Sequence, residues 1–282
     1  MKAFISVDLE GLPYVVIPGQ LSLKGSLYEE GRKIATEITQ ITIQALHENG
    51  FEQIIVADSH GPMVNLLVED LPEYVEIVRG NPRPVSMVAG VHGCDVALFL
   101  GYHAKFGTAK ATFDHTYSGG TIHKVEVNGV PASEFLLNAY AAGEYGVPVI
   151  LVAGDATLLK EDVGVFTPWA ERVSFKQSLS RLSAISPSMK KIAEALKIGV
   201  KNAVQKFNDN KVEPLIAPTP IQMAITFQAS HFADVAALLP NSQRKDGLTV
   251  EYKATNMIEG YKTFQLLVAA ATGTRTLLDF LK

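Results

Sequence analysis

The sequence predicts an α/β protein: a three-layer α/β/α unit around a mostly parallel sheet, followed by a smaller C-terminal α+β lobe. Three observations carry this prediction. Apolar runs of strand length recur through the N-terminal part, and three of them stop at Asp, Glu, Gly or His. A helix-period segment lies between the first two, long enough for the crossover that joins parallel strands. Beyond about residue 165 the order changes to helix, strand, helix, strand, helix, which suits a separate lobe. The expected division is residues 1–165 and residues 166–282.

The elements follow in order. Ala3-Phe4-Ile5-Ser6-Val7 reads as a first buried strand, and a Gly- and Pro-containing loop runs from Gly11 to Gly25. Ile34, Ile38, Ile41 and Ala45 recur at helical spacing, and Asn49-Gly50 ends that helix. Strands follow at Gln53–Ala57, Val75–Val78 and Asp95–Leu100. Ala104 to Asp114 has little periodicity and reads as a mobile loop. Thr121–Val127 alternates and meets Asn128-Gly129, a tight-turn signal. Pro131 and Ser133 open a helix through Leu136, Leu137, Ala139 and Tyr140 that Gly146 ends. Pro148–Ala153 is apolar without interruption, as a central parallel strand should be. The lobe has a helix at Pro187–Phe207 with Ile192, Leu196, Val200, Ala203 and Phe207 on one face. A strand at Ile221–Phe227, a helix at Phe232–Leu239, a strand at Leu248–Tyr252 and a last helix from Met257 complete it.

Composition excludes several functions. With 282 residues, 47% apolar and 19% charged, the chain is an ordinary globular one. A net charge of −4 and the lack of any Lys/Arg block give no reason to expect nucleic acid. No apolar run approaches the roughly 18–20 residues of a membrane span. Asp8 and Glu10 come too soon after Met1 for a secretory apolar segment. Cys94 is the single cysteine, so no internal disulfide can form, and a buried structural thiol is expected. The expectation is a soluble, cytoplasmic protein. No phosphate-binding loop, dinucleotide fingerprint or Gly-x-Ser-x-Gly elbow is present.

The chemistry gathers where strands stop. In an open α/β sheet, ligands bind beyond the carboxyl ends of parallel strands. The first strand ends in Asp8-Leu9-Glu10-Gly11, the second in Asp58-Ser59-His60-Gly61, and the Asp95–Leu100 strand in Gly101-Tyr102-His103. Two apart in extended chain, Asp8 and Glu10 point to one side, and two carboxylates so close repel unless a cation separates them. Together with His60 and His103 they make a coordination shell for zinc or a similar ion. Asp58 is a candidate for orienting that shell. Each residue alone also has a local explanation, as a loop cap or a solvated strand end. His115 lies beyond the mobile loop and could close over a site as acid, base or stabiliser, or be a surface histidine. Glu134 opens a helix, where a carboxylate suits the dipole, and could equally complete a metal site. His47, His92, His123 and His231 lack a comparable setting.

Ser6-Val7-Asp8-Leu9-Glu10-Gly11, Asp58-Ser59-His60, Phe99-Leu100-Gly101-Tyr102-His103, Asp114-His115-Thr116 and Ser133-Glu134 with Leu137-Asn138-Ala139 together resemble the M55 peptidases. These are zinc-dependent D-aminopeptidases, also known as dipeptide transport proteins. Val152-Ala153-Gly154-Asp155 and Lys176-Gln177-Ser178-Leu179-Ser180-Arg181 extend the match, whose landmarks run in order from residue 6 to about 190. The resemblance implies an aminopeptidase acting on short peptides with an N-terminal D-residue. It implies two zinc ions per subunit, replaceable by manganese or cobalt, held by Asp8 (bridging), Glu10, His60, His103 and Glu134, with His115 catalytic. It also implies a homo-oligomeric ring such as a decamer. Residues 1–165 would then be the metal-binding catalytic domain, and 166–282 would serve oligomerisation or the substrate pocket. Leu12-Pro13-Tyr14 and the Asp114 and Thr116 flanks of His115 depart from the family pattern, and both places are expected to border the substrate. The competing readings are a non-catalytic cytoplasmic protein that binds dipeptides or assists their transport, and a metal hydrolase acting on another amide or a phosphoester.

Overall fold

In the computed structural model, which describes residues 1–281, the N-terminal apolar run is strand β1 (Lys2–Val7). Ala3, Ile5 and Val7 face one side and Phe4 the other, and all are fully buried, so the strand sits inside its sheet. Helix α1 (Tyr28–Glu48) follows, then β2 (Gln53–Asp58), β3 (Val75–Val78) and β4 (Val96–Tyr102). The Asn128-Gly129 turn joins β5 (Ile122–Val127) to β6 (Val130–Pro131), and α2 (Glu134–Glu144) leads to β7 (Val149–Asp155). Two single turns, α3 (Ala156–Leu158) and α4 (Gly164–Phe166), flank a π-turn at Leu159–Val163. Next come β8 (Glu171–Ser180), β9 (Ser183–Ile185) and α5 (Met189–Asn208). The chain closes with β10 (Ile221–Phe227), α6 (Ser230–Ala236), β11 (Gln243–Arg244), β12 (Thr249–Ala254) and α7 (Met257–Phe280).

The large sheet has the order β3-β2-β1-β4-β7-β8-β9, parallel throughout except for the β8–β9 hairpin. The second sheet, β11-β12-β10-β5-β6, is antiparallel. One face of the large sheet is covered by α1 and α5, whose Ile34, Ile38, Ile192, Leu196, Val200 and Ala203 pack with Ile5, Val7, Leu98 and Ile150. The other face, with Phe4, Phe99 and Val152, is covered by α2, the second sheet and α7. This is the mixed α/β fold expected, with a mostly parallel sheet beside a smaller α+β part.

The sheets cut across the division expected at residue 165. Residues 171–185 extend the large sheet as β8 and β9, while β5 and β6 pair into the second sheet through β10. The β8 segment, Glu-Arg-Val-Ser-Phe-Lys-Gln-Ser-Leu-Ser, carries no apolar run because only Val173, Phe175, Lys176 and Ser178 are buried. A charged residue on the inside hides such a strand from hydropathy. Residues 104–114 are tied down: Ala111, Thr112, Phe113 and Asp114 are buried. The Gly107 N–H donates to Asp114 at 2.6 Å and the Thr112 N–H to Ser178 Oγ at 2.9 Å.

Candidate metal centre

Strand β1 lies between β2 and β4, and the strand order reverses beside it, so a crevice opens at their carboxyl ends. Main-chain bonds lock the three ends together. The Asp8 N–H donates to Leu100 O at 2.8 Å, the Gly11 N–H to Gly101 O at 2.7 Å, and the Ser59 N–H to Val7 O at 2.8 Å. Two glycines permit this closeness. A Cβ at Gly11 would lie 2.0 Å from Tyr102 O, and one at Gly101, where φ is +73°, would lie 1.9 Å from Asp8 O.

The six candidate residues converge there. His60 Nδ1 is 3.2 Å from Asp8 Oδ1 and 2.9 Å from Glu10 Oε2. His103 Nε2 is 3.5 Å from Asp8 Oδ2 and 3.4 Å from Glu134 Oε1. His115 Nε2 is 3.5 Å from Glu134 Oε1 and 3.9 Å from Glu10 Oε1, and its ring stacks on His103 with centroids 4.4 Å apart. Each imidazole places its other nitrogen on a main-chain carbonyl: Leu21 O for His60, Ala104 O for His103 and Phe113 O for His115.

A carbonyl only accepts, so that nitrogen must carry the hydrogen. The nitrogen facing the carboxylates is then a lone pair looking at lone pairs. Such an arrangement holds together around a cation, or by taking up extra protons. Asp8 Oδ2 and His103 Nε2 are buried with no hydrogen-bond partner, as ligand atoms short of their ion would be. Asp8, Glu10 and His60 form one set whose ligand atoms lie within 4.8 Å of one another; Asp8, His103 and Glu134 form another. Glu10, His103 and His115 form a third combination. The first two sets share Asp8, and their oxygen and imidazole donors suit zinc.

The electrostatics agree. Burial, together with the Glu10 and Glu134 charges, raises the Asp8 carboxyl well above the usual carboxylate range. Burial pushes Glu10 the same way, but His60, His115 and His103 outweigh it and hold that carboxyl well below its usual range. Glu134 is likewise held down, burial being outweighed by His103 and His115. Burial disfavours a charged imidazole, yet Glu10 and Asp8 push His60 well above the usual range. Against the same penalty, Glu134, Glu10 and Asp8 push His103 up to about 10. The cluster draws positive charge inward.

Local structure aims these groups. Glu134 is the first residue of α2, capped by Ser133, and its Oε1 accepts the Tyr117 N–H at 2.7 Å. It thus combines the helix-end position and the site position that sequence left as alternatives. Asp58 does not meet the His60 ring. Its carboxylate accepts Asn65 Nδ2 and the Leu66 N–H, both at 2.7 Å, and Asn65 in turn donates to His60 O, so Asp58 braces the loop that carries the ligand.

A buried hydrogen-bond network behind the site was not found from sequence. Ser6 Oγ bonds Ser59 Oγ, Met87 O and the Tyr102 hydroxyl, Asn138 Nδ2 donates to Tyr102, and Tyr117 and Tyr261 both meet Asn138 Oδ1. Polar residues inside apolar runs, such as Ser6 and Asn138, were the available signal. Lys176, fully buried, was also missed as part of the site's surroundings; burial pushes its ammonium down to about 8 against the nearby Asp155 and Glu10 charges.

A cavity of about 680 Å³ opens over Asp8, Glu10, His60, His115 and Glu134. Its far wall is apolar, with Met63, Met87 and, from α7, Leu266, Val268 and Ala269. The two departures from the family pattern do not line it. Leu12 is buried in the core, and Tyr14 donates its hydroxyl to Pro187 O at 2.6 Å. Asp114 pairs with Arg181, and Thr116 turns toward Ala132 O. They face packing partners because the turns at 12–14 and 114–116 roll their side chains away from the crevice. Cys94 is buried, and its thiol is pushed up to about 11 by that burial, as a structural thiol requires. His47, His92, His123 and His231 each lie against an aromatic ring outside the site. No helix among the described residues is long and apolar enough to cross a membrane.

The family model Peptidase_M55, described as D-aminopeptidase, matches residues 1–266. The D-aminopeptidase of Bacillus subtilis (strain 168) is 34% identical over 276 residues, covering 97% of this chain and 99% of the relative. A solved structure, that of the Zn-dependent D-aminopeptidase DppA from Bacillus subtilis, described as a self-compartmentalizing protease, is similar with a TM-score of 0.91. It is 34% identical, and the match covers 96% of this chain and 98% of that one.

Proposed function

The chain belongs to the M55 D-aminopeptidase family, and from that premise we propose that it is a zinc-dependent aminopeptidase releasing an N-terminal D-residue from short peptides. The observation that carries the reading is the pair of ligand sets sharing Asp8, in which imidazole lone pairs face carboxylates across buried, unpartnered atoms. Asp8, Glu10 and His60 would hold one ion and Asp8, His103 and Glu134 the second. When bound, two divalent ions polarise the scissile carbonyl and lower the pKa of water toward neutrality.

The chain's own groups supply the rest. His115 is tethered at Nδ1 by Phe113 O at 2.7 Å, which leaves Nε2 to accept a proton at the mouth of the site and return it to the leaving amine. The apolar wall of Met63, Met87 and α7 binds the substrate and displaces water from it. In this reading residues 1–165 supply every ligand, and the segment 166–282 contributes α7 to the pocket. Assembly into a homo-oligomer belongs to the same reading, supported by the self-compartmentalizing relative. So does a cytoplasmic location, supported by the single buried cysteine.

The test joins metal analysis to turnover. Purified protein should contain two zinc ions per chain and hydrolyse D-aminoacyl amides and dipeptides faster than their L-counterparts, and a phosphoester not at all. His115→Ala should keep its zinc and lose about 10²- to 10⁴-fold in kcat. A metal-free protein that zinc, manganese and cobalt all fail to activate would instead support a binding role.

A further inference from the structure

Lys176 sits in β8 with no exposed surface, on a strand that otherwise buries Val173, Phe175 and Ser178. A register shift in the β7–β8 pairing sets it opposite Asp155. Its Nζ donates to two main-chain carbonyls, Glu10 O at 2.5 Å and Val15 O at 2.6 Å, and lies 5.8 Å from the centre of the Phe113 ring. Among the described residues no carboxylate lies within ion-pairing distance of it, so the ammonium is held by carbonyl oxygens instead. Burying an ammonium this way is expensive unless its donors are used, and here they close a turn.

That turn runs from Glu10 to Val15. On one side β4 holds it, through the Gly11 N–H on Gly101 O and the close approach of Gly11 to Tyr102 O. Tyr14 within it has a φ of 65°, a backbone that needs support from outside. Lys176 supplies the support on the other side, bonding the first and last carbonyls at once. The Glu10 side chain leaves from one of those two residues and reaches His60 at 2.9 Å.

We propose that Lys176 is a positioning residue for the metal centre: by clamping the Glu10 and Val15 carbonyls it fixes the Glu10 carboxylate, and it serves the Asp8–Glu10–His60 set but not the Asp8–His103–Glu134 set. The inference rests on the two-ion reading above. Its test is zinc titration of the full-length protein by calorimetry with a competing chelator, beside circular dichroism and melting temperature, for wild type and Lys176→Met. Methionine keeps the length and volume and removes the donors. The expected result is a native spectrum, one site at wild-type affinity, and the other weakened about 10- to 100-fold, the usual cost of losing a group that orients a ligand. Two unchanged sites would overturn the proposal, and so would two sites that weaken together. If Lys176→Met does not fold, Lys176→Leu, which also removes the donors, is titrated with the same two outcomes. A wild type that binds no zinc would strike the two-ion reading itself, so the two failures are distinguishable.

Discussion

Asp8 answers to both halves of the centre, since it faces His60 through one oxygen and His103 through the other. Glu10 belongs with Asp8 to the set with His60, and Glu134 to the set with Asp8 and His103, while Glu10 also falls in the combination with His103 and His115. In the proposed two-ion reading, Asp8→Asn should therefore weaken both zinc sites, on the order of 100-fold or more, whereas Glu10→Gln should weaken chiefly the one shared with His60. Equilibrium zinc competition on the two variants checks the asymmetry. Cys94 allows a separate test at the same scale, because its folded pKa of about 11 lies above the ordinary thiol value. Between those values the folded chain binds more protons than the unfolded one, so stability falls as pH rises. The Cys94 contribution is complete below the ordinary thiol pKa and lost as pH passes about 11. Urea midpoints of wild type and Cys94→Ala from pH 8 to 10.5 should converge on a smaller gap as that contribution is lost.

At the scale of the element, three strand ends and one helix start carry the site. β1, β2 and β4 supply Asp8, Glu10, His60 and His103 from loops that begin where the strands stop, and α2 supplies Glu134 from its first turn. The close seam between β1 and β4 has a consequence for mutation. Gly11→Ala puts a methyl 2.0 Å from a backbone oxygen that cannot rotate away, so the turn carrying Glu10 must move. The expected cost is about 1–3 kcal/mol in urea denaturation, with weaker zinc binding. Full zinc affinity in that variant would mean the seam does not set the site. The strands and their ends were legible because buried parallel strands are apolar runs and the polar residues after them stand out. β8 was not, since the side chain it turns inward at position 176 is charged and Ser174, Gln177 and Ser178 interrupt the apolar residues around it.

At the scale of the molecule the cavity is composite: the large sheet supplies its floor and α7, more than a hundred residues after the last proposed ligand, supplies an apolar wall. Ions that bind only the folded arrangement stabilise it by mass action. Removing zinc with a chelator should lower the melting temperature by several degrees, and adding zinc back should restore it. A melting temperature indifferent to zinc would mean that the folded protein binds it weakly or not at all.

By itself the sequence determined the α/β class, the strands whose ends carry polar residues, and Asp8, Glu10, His60 and His103 as candidates for one metal-binding crevice. Periodicity and strand-end chemistry are local properties, and local properties can be read along a chain. Glu134 and His115 entered through the family pattern, because a helix-end carboxylate and a loop histidine each have a sufficient local explanation. Only the tertiary structure decided which nitrogen of each imidazole faces the carboxylates, that Asp8 is common to two sets, and that residues 12–14 turn away from the cavity. It also decided that β5 and β8 exchange sheets across the expected boundary, and that a buried lysine holds the turn at Glu10. The physical reason is common to all of these. Each depends on groups brought together from distant parts of the chain, and neither their approach nor their orientation leaves a periodic mark in the sequence.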